Sequence, residues 1–316
     1  MKLPEPKQLA GDEPPSLVGK ENRLPPATSY TFGSPPPRRG VGETDGAAQA
    51  QSALSNASGW LAAILTAVFA VAAMASAFAG PPFLTDDPEP VSLHHWELYE
   101  FGSGDRTRGV DTVAGPAMEL NNGVAKNTQL HLVVPRAYFS QNGMSSSGLG
   151  DIEAGVKYRV IEQTGSRPDV GVFPQAELAT GDSSKGLGNG RTWYKAPLWI
   201  EKDRGAWTDY GGGGFAYNPA PGQRNYWFGG NLLQRTLSPK LALGAEIFLR
   251  GATADVGQSG QIEVPGSRST TLWNVGGQYN FSPDFSLLFS AGHSLAGEGN
   301  SVFYLGLYRT WGSGAP

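Results

Sequence analysis

From residue 95 to residue 311 the chain repeats one pattern. A stretch of roughly 10–14 residues alternates apolar with polar or small side chains and is followed by a turn. Four stretches show it best. Ile152, Ala154, Val156, Tyr158 and Val160 oppose Glu153, Gly155, Lys157 and Arg159. Leu241, Leu243, Ala245, Ile247 and Leu249 oppose Ala242, Gly244, Glu246, Phe248 and Arg250. Trp273, Val275, Gly277, Tyr279 and Phe281 oppose Asn274, Gly276, Gln278 and Asn280. Phe285, Leu287, Phe289 and Ala291 oppose Ser286, Leu288, Ser290 and Gly292. Successive side chains of a strand point to opposite faces, so each stretch has one apolar and one polar face. The pattern predicts strands at 95–103, 113–121, 128–139, 151–163, 169–179, 192–202, 207–217, 225–236, 240–252, 270–281, 285–294 and 301–311. Their number is even, and each is long enough to cross a bilayer when tilted.

A soluble sandwich shows the same alternation, so the connections decide. Tight turns are expected at 121–127, 164–168, 203–206, 237–239 and 282–284. Longer loops are expected at 104–112, 140–150, 180–191, 218–224, 253–269 and 295–300. Short turns at one end and long loops at the other predict an all-β, closed antiparallel up-and-down transmembrane barrel of about 12 strands. Closure follows from the solvent: in lipid every backbone N–H and C=O must be paired, so the sheet can have no edge. Trp193, Tyr194, Trp207, Tyr210, Tyr217, Tyr226 and Trp227 fall near strand ends, where aromatic girdles are expected.

Upstream of the barrel the character changes. Residues 1–57 are rich in Pro, Gly, Ser and Ala and are expected to be a disordered extension. Residues 58–79 read as a signal peptide: Trp60–Ala79 is uncharged, and Ala77-Phe78-Ala79 matches a cleavage site. The nearest upstream cations, Arg38 and Arg39, are remote from it, as they would be if translation normally starts near residue 55. Residues 80–94 are expected along the periplasmic mouth or inside the lumen, 95–311 form the barrel, and 312–316 are a tail.

Composition narrows the function. With 24 Lys+Arg against 28 Asp+Glu the net charge is −4, which argues against nucleic-acid binding. No Cys is present, which excludes disulfides, thiolate metal sites and a Cys nucleophile. No cofactor or metal site is expected. Asp86, Asp87 and Glu89 lack the calcium-loop spacing and read as solvated acids. His293 and Ser294 are adjacent on a strand, so they face apart and cannot pair as base and nucleophile. No catalytic residue is assigned. The expected lumen-lining set is Glu153, Lys157, Arg159, Gln175, Glu177, Lys195, Glu201, Asn231, Arg235, Glu246, Arg250, Asn274 and Gln278. Both signs occur, so ion pairing across a narrow interior is expected.

Several motifs resemble one family. They are Gly80-Pro-Pro-Phe-Leu-Thr-Asp-Asp-Pro-Glu-Pro90 with His95-Trp96-Glu97, then Gly150-Asp-Ile-Glu-Ala-Gly-Val-Lys-Tyr-Arg159. Thr180-Gly-Asp182, Gly186-Leu-Gly-Asn-Gly190 and Arg224-Asn-Tyr-Trp227 complete the set. Over about residues 80–311 the chain resembles the MetA-pathway of phenol degradation ("transporter") family of outer-membrane β-barrel proteins. The resemblance implies an outer-membrane location and passage of a small, hydrophobic or aromatic solute. The alternatives are a non-transporting structural or surface barrel and a lipid-modifying enzyme. The final strand, 303–311, resembles the signal read by barrel-assembly machinery, although Arg309 and the tail depart from it. The expected partners are therefore outer-membrane lipid, that machinery and a small solute, with no nucleic acid, for a monomeric barrel.

Overall fold

The structure is a computed structural model that describes residues 81–255 and 265–312. The predicted extension, signal segment and most of the tail lie outside the described residues. Fourteen strands run in chain order: β1 (His95–Thr107), β2 (Val110–Ala125), β3 (Thr128–Gln141), β4 (Met144–Leu149), β5 (Ile152–Ile161), β6 (Asp169–Val172), β7 (Gln175–Leu178), β8 (Trp193–Arg204), β9 (Trp207–Tyr217), β10 (Tyr226–Ser238), β11 (Leu241–Arg250), β12 (Thr270–Ser282), β13 (Phe285–Gly297) and β14 (Asn300–Gly312). β4 and β5 both pair with β3 and act as one stave; β6 and β7 both pair with β5 and β8 and act as another. The result is twelve staves. β1 and β14 pair from His95↔Gly312 to Thr107↔Asn300 and close the ring. Among the described residues, no helix is long and apolar enough to cross a membrane.

Local chemistry sets the breaks and turns. Pro174 has no N–H to give, so the ladder is interrupted between β6 and β7. Val156 N still donates to Pro174 O at 3.1 Å, and Phe173 N donates to Pro197 O at 3.1 Å, so the wall stays joined across the gap. Three expected long loops are short. Arg108 and Gly109 (φ 51° and 77°) and Asn142 and Gly143 (φ 51° and 79°) form two-residue turns. Positive φ at both central positions is the tight-hairpin geometry that matches strand twist. Strand therefore extends through most of 104–112 and 140–150. β13 and β14 likewise meet across Glu298-Gly299. The loops after β7, β9 and β11 remain long.

The alternation sorts the side chains as the sequence pattern implies. Leu243, Ile247, Leu249, Trp273 and Val275 are exposed on the outer face, while Glu246, Phe248 and Asn274 are buried inside. Of the expected girdle aromatics, Tyr194, Trp207, Tyr217 and Trp227 point outward. Trp193, Tyr210 and Tyr226 turn inward instead, because each has the opposite parity on its strand. Trp96 and Trp311 stack at 6.4 Å on the outside of the closing seam. Ile247 lies mid-strand in the outer apolar band. Ile247→Arg is expected to cost about 2–4 kcal/mol if it lies near the bilayer midplane. Urea unfolding from vesicles tests this, and unchanged stability would contradict the assignment of that face to lipid.

Candidate functional site

The lead-in segment does not lie across a mouth of the barrel; it runs through the lumen. Phe83 packs against Tyr210 of β9 and Leu232 of β10. Leu84 N donates to the Glu246 carboxylate at 3.2 Å, and Thr85 N donates to the same group. Asn274 Nδ2 donates to it from β12 at 3.1 Å. Ser290 Oγ on β13 donates to Pro82 O at 2.6 Å. Farther along, Lys157 Nζ stands 3.1 Å from both Asp86 and Asp87. Arg159 lies 3.2 Å from Glu89 and 3.7 Å from Asp169. Val91 N donates to Gln129 Oε1 at 2.9 Å. The segment thus touches β3, β5 and the β9–β13 wall.

Asp86 and Asp87 are therefore not solvated acids. Asp87 is only 4% exposed and, with Asp86, is the counter-charge of Lys157. Close approach also needs glycine: a Cβ on Gly171 would sit 2.7 Å from Pro88 O. Gly171→Val suits a strand but forces the segment away from β6. We expect the variant to show faster proteolysis within 81–92 while its barrel stays folded; unchanged proteolysis would contradict the seating.

A second network stiffens the wall beside the segment. Glu153 accepts from Lys195 at 2.5 Å, from Gln175 at 3.0 Å, and pairs with His131 Nε2 at 2.9 Å. Lys195 also reaches Glu177 at 3.4 Å. His131 Nδ1 meets Asn121 Oδ1 at 2.8 Å. Arg250 lies 3.7 Å from Asp105. Gln278 Nε2 donates to Asn280 at 2.8 Å and to Ser286 at 3.1 Å. Glu201 is buried, with the inward parity of Trp199 on β8.

Two of the expected lumen residues are placed otherwise. Asn231 and Arg235 project outward, because Leu232, at 0% exposure, and Gln234 take the inner positions of β10. Asn231 donates to Asp209 at 2.9 Å on the outer face, and the Arg235 guanidinium lies 5.0 Å from the Trp207 ring centre. The adjacent Leu232-Leu233 pair offers no polarity contrast. The flanking polar residues therefore suggest the wrong parity, and packing of Leu232 on Phe83 decides it.

Residues outside the expected set also line the interior. The segment stands between two cavities, and Phe83 and Leu84 border both. One, of about 170 Å³, carries Glu97, Glu119, His131 and Lys157. The other, of about 390 Å³, lies toward the β1–β2 and β13–β14 hairpins and carries Asp105, Arg250, Asn300 and Tyr304. The runs Met118-Glu119-Leu120-Asn121 and Leu130-His131-Leu132 hold the signal that would have marked Glu119 and His131.

Outside the membrane, Asp151 ties the loop after β7 by accepting from Gly181 N at 2.9 Å and Asn189 N at 2.6 Å. Lys185 and Ser184 hold the Asp182 carboxyl down at about 2. His293 meets its hydroxyl partner on another strand: Nδ1 is 2.9 Å from Ser301 Oγ on the outer face. Ser294 Oγ instead accepts from Asn300 N.

A closed twelve-stave ring with an apolar outside and a charged inside defines an outer-membrane β-barrel. Among solved structures, its fold is similar to that of the COG4313 outer membrane channel from Pseudomonas putida F1. The TM-score is 0.52 and the identity 16%, over 71% of this chain and 98% of that one. The NanC porin aligns at TM-score 0.47 and 8% identity, over 67% and 98% of the two chains. The translocator domain of the autotransporter NalP from Neisseria meningitidis aligns at 0.41 and 13%, over 69% and 89%. At these identities the likeness is one of fold. No family model and no curated protein matches the sequence.

Proposed function

We propose that the chain is an outer-membrane channel for a small, hydrophobic or aromatic solute, closed at rest by its own lead-in segment. The proposal includes kinship with the MetA-pathway of phenol degradation family, on the motifs above. The observation that carries it is the 390 Å³ cavity, which borders on Phe83, Phe248, Leu272 and Tyr304 and is floored by Pro82, Phe83 and Leu84. A concave, largely apolar space with a few polar groups is the usual form of a small-molecule site. Export through a signal cleaved after Ala79 would place a free chain end beside the first lumen contact, Pro82, so withdrawal of the segment breaks no covalent tether. Assembly through β14 and a monomeric state complete the proposal.

The test is uptake by intact cells. Cells carrying the barrel should take up a small aromatic solute faster than cells without it, with no change for a sugar of similar size. Equal uptake of the aromatic solute would remove the channel reading. The His293–Ser301 pair favours a second reading, hydrolysis of membrane lipid. Phospholipid cleavage by the purified barrel that is lost in Ser301→Ala would establish that reading instead.

A further inference from the structure

We infer that the 390 Å³ cavity is a binding site for a compact, uncharged molecule whose apolar, ring-sized body carries hydroxyl groups at two ends. The inference deepens the channel reading and rests on it only for the ligand's place on a route. Size comes first. A cavity of about 150 Å³ suffices for benzene, so this one holds a ring with substituents. Phe83, Phe248, Leu272 and Val302 supply apolar contact for the body.

The polar groups select the ends. Asn274 and Asn300 both line the cavity and are 2% and 1% exposed. Each side-chain nitrogen is committed to a carboxylate: Asn274 Nδ2 to Glu246 at 3.1 Å, Asn300 Nδ2 to Asp105 at 2.7 Å. An ionised carboxylate only accepts, so these bonds fix which end of each amide is nitrogen and which is oxygen. The two Oδ1 atoms are left as buried acceptors, and among the described residues neither receives a hydrogen bond. Tyr304 also lines the cavity, and its hydroxyl has no partner among the described residues either. A buried acceptor left unmatched is costly, so the site favours a guest that brings donors. A carboxylate would meet lone pairs with lone pairs and is disfavoured.

Charge and spacing narrow the guest further. Arg250 and Asp105 face each other at 3.7 Å, so the cavity offers no spare charge to an ammonium group. Asn274 and Asn300 stand on β12 and β14, two sheet positions apart and staggered by two residues along the strands, so their backbones are about 12 Å apart and their side chains converge on the cavity. Two hydroxyls at opposite ends of a six-membered ring can span that gap.

The experiment is calorimetric titration of the whole barrel in detergent micelles. The probes are cyclohexane-1,4-dimethanol, its bis(methyl ether) and cyclohexane-1,4-dicarboxylate. The diol should bind at least tenfold more tightly than the ether, and the dicarboxylate should not bind. Asn300→Leu should weaken the diol at least tenfold and leave the ether unchanged. Because that change also frees Asp105 and could disturb folding, Ala114→Phe serves as a second variant. It fills the cavity from β2 and should abolish binding of both the diol and the ether. Equal affinity for diol and ether, no binding of the diol, or binding unaffected by Ala114→Phe would overturn the inference. Donor-dependent binding without solute uptake keeps this site and removes the channel reading. Uptake without donor-dependent binding does the reverse.

Discussion

Lys157→Met is expected to open the barrel. Lys157 is buried on β5 with Asp86 and Asp87 each 3.1 Å from its ammonium. Removing one partner of a buried ion pair costs about 3–5 kcal/mol, because the charge left behind has no solvation. Here two carboxylates are left, and both ride on the lead-in rather than on the wall. The least costly relief is for the segment to leave the lumen and return both acids to water. The wall itself suffers little, since Met keeps the contact with the Phe173 ring over which Nζ sits at 5.1 Å. Single-channel recording should therefore show a steady conductance in the variant, with urea unfolding of the barrel nearly unchanged. A closed variant that is destabilised by the full 3–5 kcal/mol would mean that the segment is a fixed structural core, as in a non-transporting barrel.

Glu153→Leu should give the opposite pair of results. Glu153 is the shared acceptor of Lys195, His131 and Gln175, all of them on the wall. Its loss strands the Lys195 ammonium with Glu177 alone at 3.4 Å. A cost of about 3–5 kcal/mol is expected, with the barrel still closed because no lead-in contact is broken. Adding Lys195→Met should recover only part of that loss, since it removes the stranded ammonium but leaves the Glu177 carboxylate without its partner. Strict additivity of the two single changes would contradict coupling through this pair.

The barrel was legible wherever alternation was crisp. Ile152–Ile161, Leu241–Arg250 and Phe285–Gly297 keep enough polar or small residues at alternate positions, such as Glu153 and Lys157, Gly244 and Glu246, and Ser286 and Ser290, to fix their faces despite Phe248 and Leu288. In β10 the contrast fails at Leu232-Leu233, and the pattern there puts Asn231 and Arg235 on the inner face when they belong to the outer one. Asn142-Gly143 is a hairpin dipeptide, but the strand after it has only Ser and Gly between Met144 and Leu149, which is why 140–150 reads as a loop. The path of the lead-in was not legible, because most of its contacts join residues 70 positions or more apart, as in Lys157 with Asp87 and Glu246 with Thr85. Three acids in the lead-in and two cations on β5 are complementary, but only the closed ring brings them to one depth.

The central claim is that the lead-in closes an otherwise open ring. It is tested most directly by comparing single-channel currents of the barrel beginning at Gly80 with those of the same barrel lacking residues 81–92. The account predicts no steady current from the first and a stable, ohmic current from the second, with both folded in the bilayer. Equal currents from the two would contradict it.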